Sequence, residues 1–199
     1  MATDFPFILA SASPRRLDLL AQIGLVPDLV LPADIDEEPA SEEQPRPYAL
    51  RMATSKLEAV RSHRQDAVIL AADTVVAVGR RILPKTEDET EARRCLNLLS
   101  GRRHRVIGAI AVASPSRKIS TRLVSTVVKF KRLHPAEVDS YIQSGEWKSK
   151  AGGYAIQGLA AKFIPFLSGS YTNVVGLSLP ETANLLNSAM ANSSKTLEP

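Results

Sequence analysis

The sequence predicts an α/β fold, a mixed and twisted sheet flanked by helices with a central cleft. Three observations point there. Short apolar strands alternate with amphipathic helices through the first hundred residues. Two long strand-like runs, 106–113 and 119–130, then follow each other with only a turn between them. No repeat and no linker divides the 199 residues, a length that suits one domain with a sizeable core.

Phe5 to Ala10 is apolar and short, as a buried strand requires. Ser11, Ala12 and Ser13 break it; Ser13 suits a helix N-cap and Pro14 the first helical position. Leu17, Leu20 and Ala21 then recur at helical spacing, and Gly24 closes the helix. Leu29 to Leu31 reads as a second strand, followed by the acidic run Asp34, Asp36, Glu37 and Glu38. Pro39 to Pro47 is a loop. Pro47 starts a helix with Leu50, Ala53, Leu57 and Val60 on one face and Lys56 beside that face.

Asp66 to Val78 is the strongest strand signal, an apolar run interrupted by Asp73 and Thr74. An aspartate there is expensive to bury unpaired, so it either faces a cleft or has partners. Gly79 allows a turn before Ile82, Leu83 and Lys85. Glu87 to Ser100 is a helix with Ala92, Cys95, Leu96 and Leu99 on its core face, ended by Gly101. The basic cluster Arg102 to Arg105 leads into the strand Val106 to Ala113. Ser114 to Arg117 reads as a hairpin turn, and Ile119 to Phe130 as its returning strand. Pro135 starts a helix with Val138, Tyr141 and Ile142 inward and Gly145 at its end; Trp147 is a packing anchor. Lys150 to Gly158 is glycine-rich, with no dinucleotide fingerprint. Phe163 to Phe166 is a short apolar segment, Gly169 to Gly176 a polar loop with a strand-like Val174–Val175 pair, and Pro180 to Met190 the closing helix. The division is one domain over 1–191 and a flexible tail over 192–199.

With 44% hydrophobic and 23% charged residues the chain is globular rather than disordered. Its net charge of +4 fits an anionic small ligand or weak nucleic-acid contact without deciding between them. Cys95 is the only cysteine, so no internal disulfide forms and a reducing compartment fits. The first residues show no basic-then-apolar signal pattern, and no apolar run approaches the roughly 18–20 residues of a membrane span. A cytoplasmic protein without a membrane partner is expected.

The chemistry concentrates at the first strand–helix junction. A helix N-terminus carries free N–H groups and a positive partial charge, and here Ser11, Ser13, Arg15 and Arg16 share its turn. Guanidinium forks match phosphate oxygens, so the turn reads as a polyphosphate cradle or as an ordinary capped helix with solvated arginines. The acidic run reads as a solvated loop or, beside a phosphate cradle, as a source of carboxylates for a divalent ion. There is no Ser-His-Asp order, H-E-x-x-H, C-x-x-C or Walker motif. The set suits electrostatic clamping of phosphates plus a general base that activates water.

The S-A-S-P-R-R turn at 11–16 resembles the opening signature of the Maf-type nucleoside triphosphate pyrophosphatases. The resemblance continues in order through A-D-I-D-E at 33–37, A-A-D-T-V-V at 71–76, K-A-G-G-Y-A-I-Q-G at 150–158 and G-S-Y-T-N-V-V-G-L at 169–177. It implies a Maf- or ITPase-like fold and cleavage between the α- and β-phosphates, giving a monophosphate and pyrophosphate with a divalent metal cofactor such as Mg²⁺ or Mn²⁺. Carried over position by position, Asp73 is the base and Lys85 its catalytic partner at the leaving pyrophosphate. Ser11, Ser13, Arg15, Arg16, Lys56 and Lys150 bind the triphosphate, and Glu37 with Asp36 or Asp73 holds the metal. Three positions that track base preference, Arg15, Thr74 and Gln157, resemble the branch acting on dTTP and UTP; modified pyrimidine nucleotides belong to the same expectation. The resemblance also implies a homodimer and no stable nucleic-acid partner.

Departures from the family pattern are Pro84-Lys85-Thr86 for Gly-Lys-Pro, Ser149 for an Asp, Arg103 for a Thr, and Ser178 for a Pro. Two other readings remain open. One is a basic nucleic-acid-binding protein using Arg102 to Arg105 and Lys129 to Arg132, with Phe130 stacking on a base. The other is a cell-division regulator with little catalysis.

Overall fold

The computed structural model describes residues 5–115 and 118–194. The chain runs β1 (Phe7–Ala10), α1 (Pro14–Gln22), β2 (Leu29–Val30), α2 (Pro45–Arg61), β3 (Val68–Val78), β4 (Arg81–Leu83), β5 (Lys85–Thr86) and α3 (Glu89–Leu99). It continues through β6 (Arg103–Ala113), β7 (Ile119–Lys129), α4 (Pro135–Ser144), β8 (Lys150–Ala151), a 3-10 turn (Leu159–Phe163), β9 (Phe166–Ser168), α5 (Tyr171–Val175) and α6 (Leu179–Ser194). Part of the expected tail, 195–199, and positions 116 and 117 of the expected hairpin turn lie outside the described residues; α6 reaches Ser194.

The main sheet has the order β2-β1-β3-β6-β7-β9, with β4 against the end of β3. β1 pairs parallel with β2 and β3, and the remaining pairs are antiparallel, so the expected mixed sheet is present. Residue alternation sorts the core. Ile69, Ala71 and Val75 of β3, with Ile107 and Ala109 of β6, face Ala49, Met52, Ala53 and Leu57 of α2. Val68, Leu70 and Ala72 face the opposite layer, where Leu19 and Leu20 of α1 and Leu185 and Leu186 of α6 pack. Further along that face Val76, Val106 and Val128 meet α3 and α4 through Leu96, Leu99, Tyr141 and Ile142. Cys95 is part of that core, as its helical spacing predicts.

β1 stops at Ala10, opposite Ala71, and β4 begins pairing only at Val76. Ala72 to Val75 of β3 therefore have no strand partner on that side. This notch, beyond the carboxyl end of a parallel strand, is the crevice in which open α/β sheets bind ligands. A small two-stranded ribbon closes its far wall: β5 and β8 pair Lys85 with Ala151 and Thr86 with Lys150.

Several expectations need correction. β3 begins at Val68 rather than Asp66, while its course through Asp73 and Thr74 to Val78 is as expected. α2 begins at Pro45, two residues before Pro47. α3 begins at Glu89, because the Asp88 side chain accepts from Glu91 N and caps it. The Arg102 to Arg105 cluster is mostly strand, since β6 starts at Arg103. The Val174–Val175 pair is helical: Ser170 Oγ accepts from Asn173 N and starts α5. α5 packs closely on β6 because residue 108 is glycine; a Cβ there would lie 2.0 Å from Asn173 Oδ1. Phe130 is fully buried, which removes it as a platform for stacking a base.

Candidate active site

The notch opens into a cleft of about 810 Å³. All the side chains expected to contribute except Asp36 line it: Ser11, Ser13, Arg15 and Arg16 from the α1 turn, Glu37, Lys56, Asp73, Thr74 and Lys85, and Lys150 with Gln157 from the glycine-rich loop. Lys148, Glu87, Tyr154 and Gly176 line it as well, without having been singled out by sequence. Among the described lining residues, six cationic side chains face three carboxylates, so the cleft favours an anion.

Alternation along β3 sends Asp73 and Thr74 to opposite faces. Asp73 points to the α2 side, where Lys56 Nζ donates to its Oδ1 at 2.6 Å. Both are buried, at 5% and 7% exposure, so this pair is little screened by water. The same Nζ reaches Glu37 Oε1 at 2.7 Å, and Lys85 Nζ bonds the other Glu37 oxygen. One continuous chain, Asp73–Lys56–Glu37–Lys85, results. Burial alone would raise the Glu37 carboxyl, but the hydrogen bonds from Lys56 and Lys85 outweigh it and hold it at about 2. The Glu37 loop is fixed to α2: Tyr48 Oη donates to Glu37 O at 2.7 Å and Arg51 Nη2 to Glu38 O at 3.0 Å. Asp36 is not part of this chain; its Oδ1 accepts from Glu38 N at 2.8 Å and shapes the loop.

Thr74 points to the other side, where Arg16 is committed to the protein. Arg16 Nε donates to Gly176 O at 3.0 Å, Nη1 to Ser11 Oγ at 2.7 Å and Nη2 to Thr74 Oγ1 at 3.3 Å. Thr74 Oγ1 in turn donates to Gly176 O at 3.2 Å. Arg16 is 8% exposed. Desolvation lowers its pKa, opposed by the charge of Asp73. It ties α1, β3 and the residue that ends α5 together under the cleft.

Arg15 differs. Its Nε is buried and has no partner among the described residues. Burial lowers the pKa of Arg15; Lys150 is lowered first by burial and then by the charge of Arg15. Two cations therefore face each other across the cleft, an arrangement that an intervening polyanion relieves. Ser149, beside Lys150, sits at φ 54, a left-handed conformation that asparagine or aspartate tolerates better than serine.

Behind the glycine-rich loop, His104 is 2% exposed and its Nε2 shares a 2.8 Å hydrogen bond with Tyr154 Oη. Its Nδ1 has no partner among the described residues, and it stacks edge-on against Phe130 and Tyr154. Strand period was the available signal: His104 and Val106 point inward while Arg103 and Arg105 point out. Desolvation lowers His104 to about 4 from an ordinary 6.5. A base depressed on folding binds fewer protons native than unfolded, so its contribution is complete above pH 6.5 and is lost as pH falls toward 4. The loss is up to about 3 kcal/mol. Urea unfolding between pH 4.5 and 7.5 is expected to show stability rising with pH in the wild type and a flatter profile in His104→Phe. Equal slopes would remove His104 as the source.

A family model described as Maf-like protein matches residues 6–189. A dTTP/UTP pyrophosphatase of Paramagnetospirillum magneticum is 60% identical over 180 residues, covering 90% of this chain and 95% of its own. One of Rhodospirillum rubrum is 60% identical, covering 91% and 86%. One of Maricaulis maris is 62% identical, covering 90% and 86%. Among solved structures, the Staphylococcus aureus Ham1 protein matches with a TM-score of 0.49 at 14% identity, covering 92% of this chain and 96% of its own.

Proposed function

The chain belongs to the Maf-like protein family, and on that premise we propose that it is a nucleoside triphosphate pyrophosphatase acting on dTTP and UTP, modified pyrimidine nucleotides included. The observation that carries this reading is the Asp73–Lys56–Glu37–Lys85 chain in a cleft that Arg15, with its unpartnered Nε, and Lys150 also line. That is a place for a carboxylate base and a place for a triphosphate, within one notch.

In this reading the triphosphate lies between Arg15 and Lys150, which lose their mutual repulsion against its oxygens. Ser11 and Ser13 add polar groups at the α1 N-terminus. Arg16 supports the floor by holding Ser11, Thr74 and Gly176 in register. Asp73 accepts the proton of the attacking water as a general base. Lys85 and Lys56 stabilise the negative charge that develops on the departing pyrophosphate. Gln157, at the cleft, offers both a donor and an acceptor to a pyrimidine edge.

A divalent cation fits the donor set. Asp73 Oδ1 and Glu37 Oε1 converge on a single ammonium, and two carboxylates plus substrate phosphates are the hard oxygen ligands that Mg²⁺ or Mn²⁺ takes. Glu37 and Asp73 would hold it. Bound there, it would supply further neutralisation of the phosphate charge. Among the described residues no cluster of three or more His, Cys, Asp or Glu side chains exists, so substrate and water complete the coordination in this reading.

The proposal extends to a cytoplasmic homodimer, on the resemblance and on the single buried cysteine. No described helix is long and apolar enough to cross a membrane. The test of function is product analysis over a panel of nucleoside triphosphates with Mg²⁺ or Mn²⁺. Pyrophosphate with UMP or dTMP is expected. Orthophosphate with a diphosphate would refute α–β cleavage, and preference for a purine would overturn the roles of Arg15, Thr74 and Gln157.

A further inference from the structure

We propose that the Lys56 ammonium stands in for the divalent ion in the free protein, and that metal enters only together with the nucleotide. This rests on the reading of Glu37 and Asp73 as the pair that holds metal.

Lys56 Nζ lies 2.6 Å from Asp73 Oδ1 and 2.7 Å from Glu37 Oε1, so one cation already bridges the two carboxylates. Lys85 occupies the remaining Glu37 oxygen. Two ammoniums balance two carboxylates. A divalent ion arriving alone has two routes, and both are unfavourable. It can displace Lys56, leaving a buried ammonium without its partners. Or it can add its charge to a cleft in which cationic side chains already outnumber carboxylates.

A triphosphate removes both obstacles. It brings several negative charges, and its oxygens offer Lys56 and Lys85 new charge-assisted hydrogen bonds. The lysines then change partner from carboxylate to phosphate, and the two carboxylates are released to the ion. They stay in position when Lys56 leaves. Asp73 is fixed within β3, and the Glu37 backbone is held by Tyr48 and its neighbour Glu38 by Arg51. The consequence is coupling: the nucleotide raises the affinity for metal, and metal raises the affinity for nucleotide by the same factor.

The test is equilibrium dialysis of Mn²⁺ against the full-length protein, with the metal measured on both sides of the membrane. Three samples are compared: wild type alone, wild type with α,β-methylene-dTTP, and Lys56→Met alone. The analogue carries no cleavable α–β bond, so uptake is read without turnover, and its own Mn²⁺ complex equilibrates across the membrane. Mn²⁺ is expected to bind the analogue-loaded wild type at least about tenfold more tightly than the free wild type, within the usual range of site coupling. Free Lys56→Met is expected to gain at least the same factor over free wild type. The wild-type comparison stands by itself should the variant fail to fold. A difference of less than tenfold between free and analogue-loaded wild type overturns the inference and leaves the pyrophosphatase reading standing. Retention of Mn²⁺ in none of the samples would remove Glu37 and Asp73 as the metal pair, and the inference with them.

Discussion

Asp73→Asn is expected to lower kcat by about 10²–10⁴-fold, the range that a positioned general base contributes. Asparagine keeps the size of the side chain and an acceptor oxygen for Lys56, but it cannot take a proton. The fold has little reason to suffer, because Lys56 retains Glu37 at 2.7 Å as a partner for its charge. Nucleotide binding in the absence of metal is expected to persist, since Arg15 and Lys150 also line the cleft and Asp73 is paired with Lys56. The measurement is kcat by pyrophosphate release, alongside calorimetric titration with the α,β-methylene analogue. Turnover at the wild-type rate would show that another group accepts the proton. Loss of metal-free binding together with turnover would show that Asp73 acts on the substrate through Lys56 rather than as the base.

How much of this site was legible depended on whether its determinants were local. The strand–turn–helix of residues 7–22 is local, since an apolar run and Pro14 at the first helical position specify it, and the expected elements are present, although Ser13 at the N-cap position makes no side-chain capping bond. The polar interruption at Asp73 and Thr74 marked a stretch that lines the cleft, and the strand expected across it is present. Each side chain finds its own partner on its own face, so β3 has no reason to break there. Arg16 could not be read in this way. Its acceptor Gly176 lies 160 residues away, and nothing in the S-P-R-R turn distinguishes a guanidinium held by the protein from one offered to a ligand. The same holds for Val174–Val175, whose β-branched pair favours a strand locally. The Ser170 cap and the room left by Gly108 make it helical. Phe130 lies among Lys129, Lys131 and Arg132, yet it is the sheet face that buries it against His104 and Tyr154.

Arg16→Lys separates the two meanings of that arginine. As a ligand for phosphate alone, lysine would keep the positive charge and weaken binding of the triphosphate without affecting the empty protein. The structure places three protein oxygens around the guanidinium, at 3.0, 2.7 and 3.3 Å. A lysine ammonium cannot reproduce the planar fork and leaves one or two of these acceptors without their donor. Each buried group left unsatisfied costs roughly 1–3 kcal/mol. The nucleotide-free variant is therefore expected to lose about 3 kcal/mol, a fall in Tm of about 6–12 °C for a domain of this size. Because Ser11, Thr74 and Gly176 lose their common tie, kcat/KM is expected to fall as well, even though the charge is retained. The decisive measurement is the melting temperature without nucleotide. An unchanged Tm together with a raised KM would return Arg16 to the role its motif suggests, a direct contact with the triphosphate. A lowered Tm that nucleotide only partly restores would identify it as the strut on which the α1 turn, β3 and the α5 terminus meet.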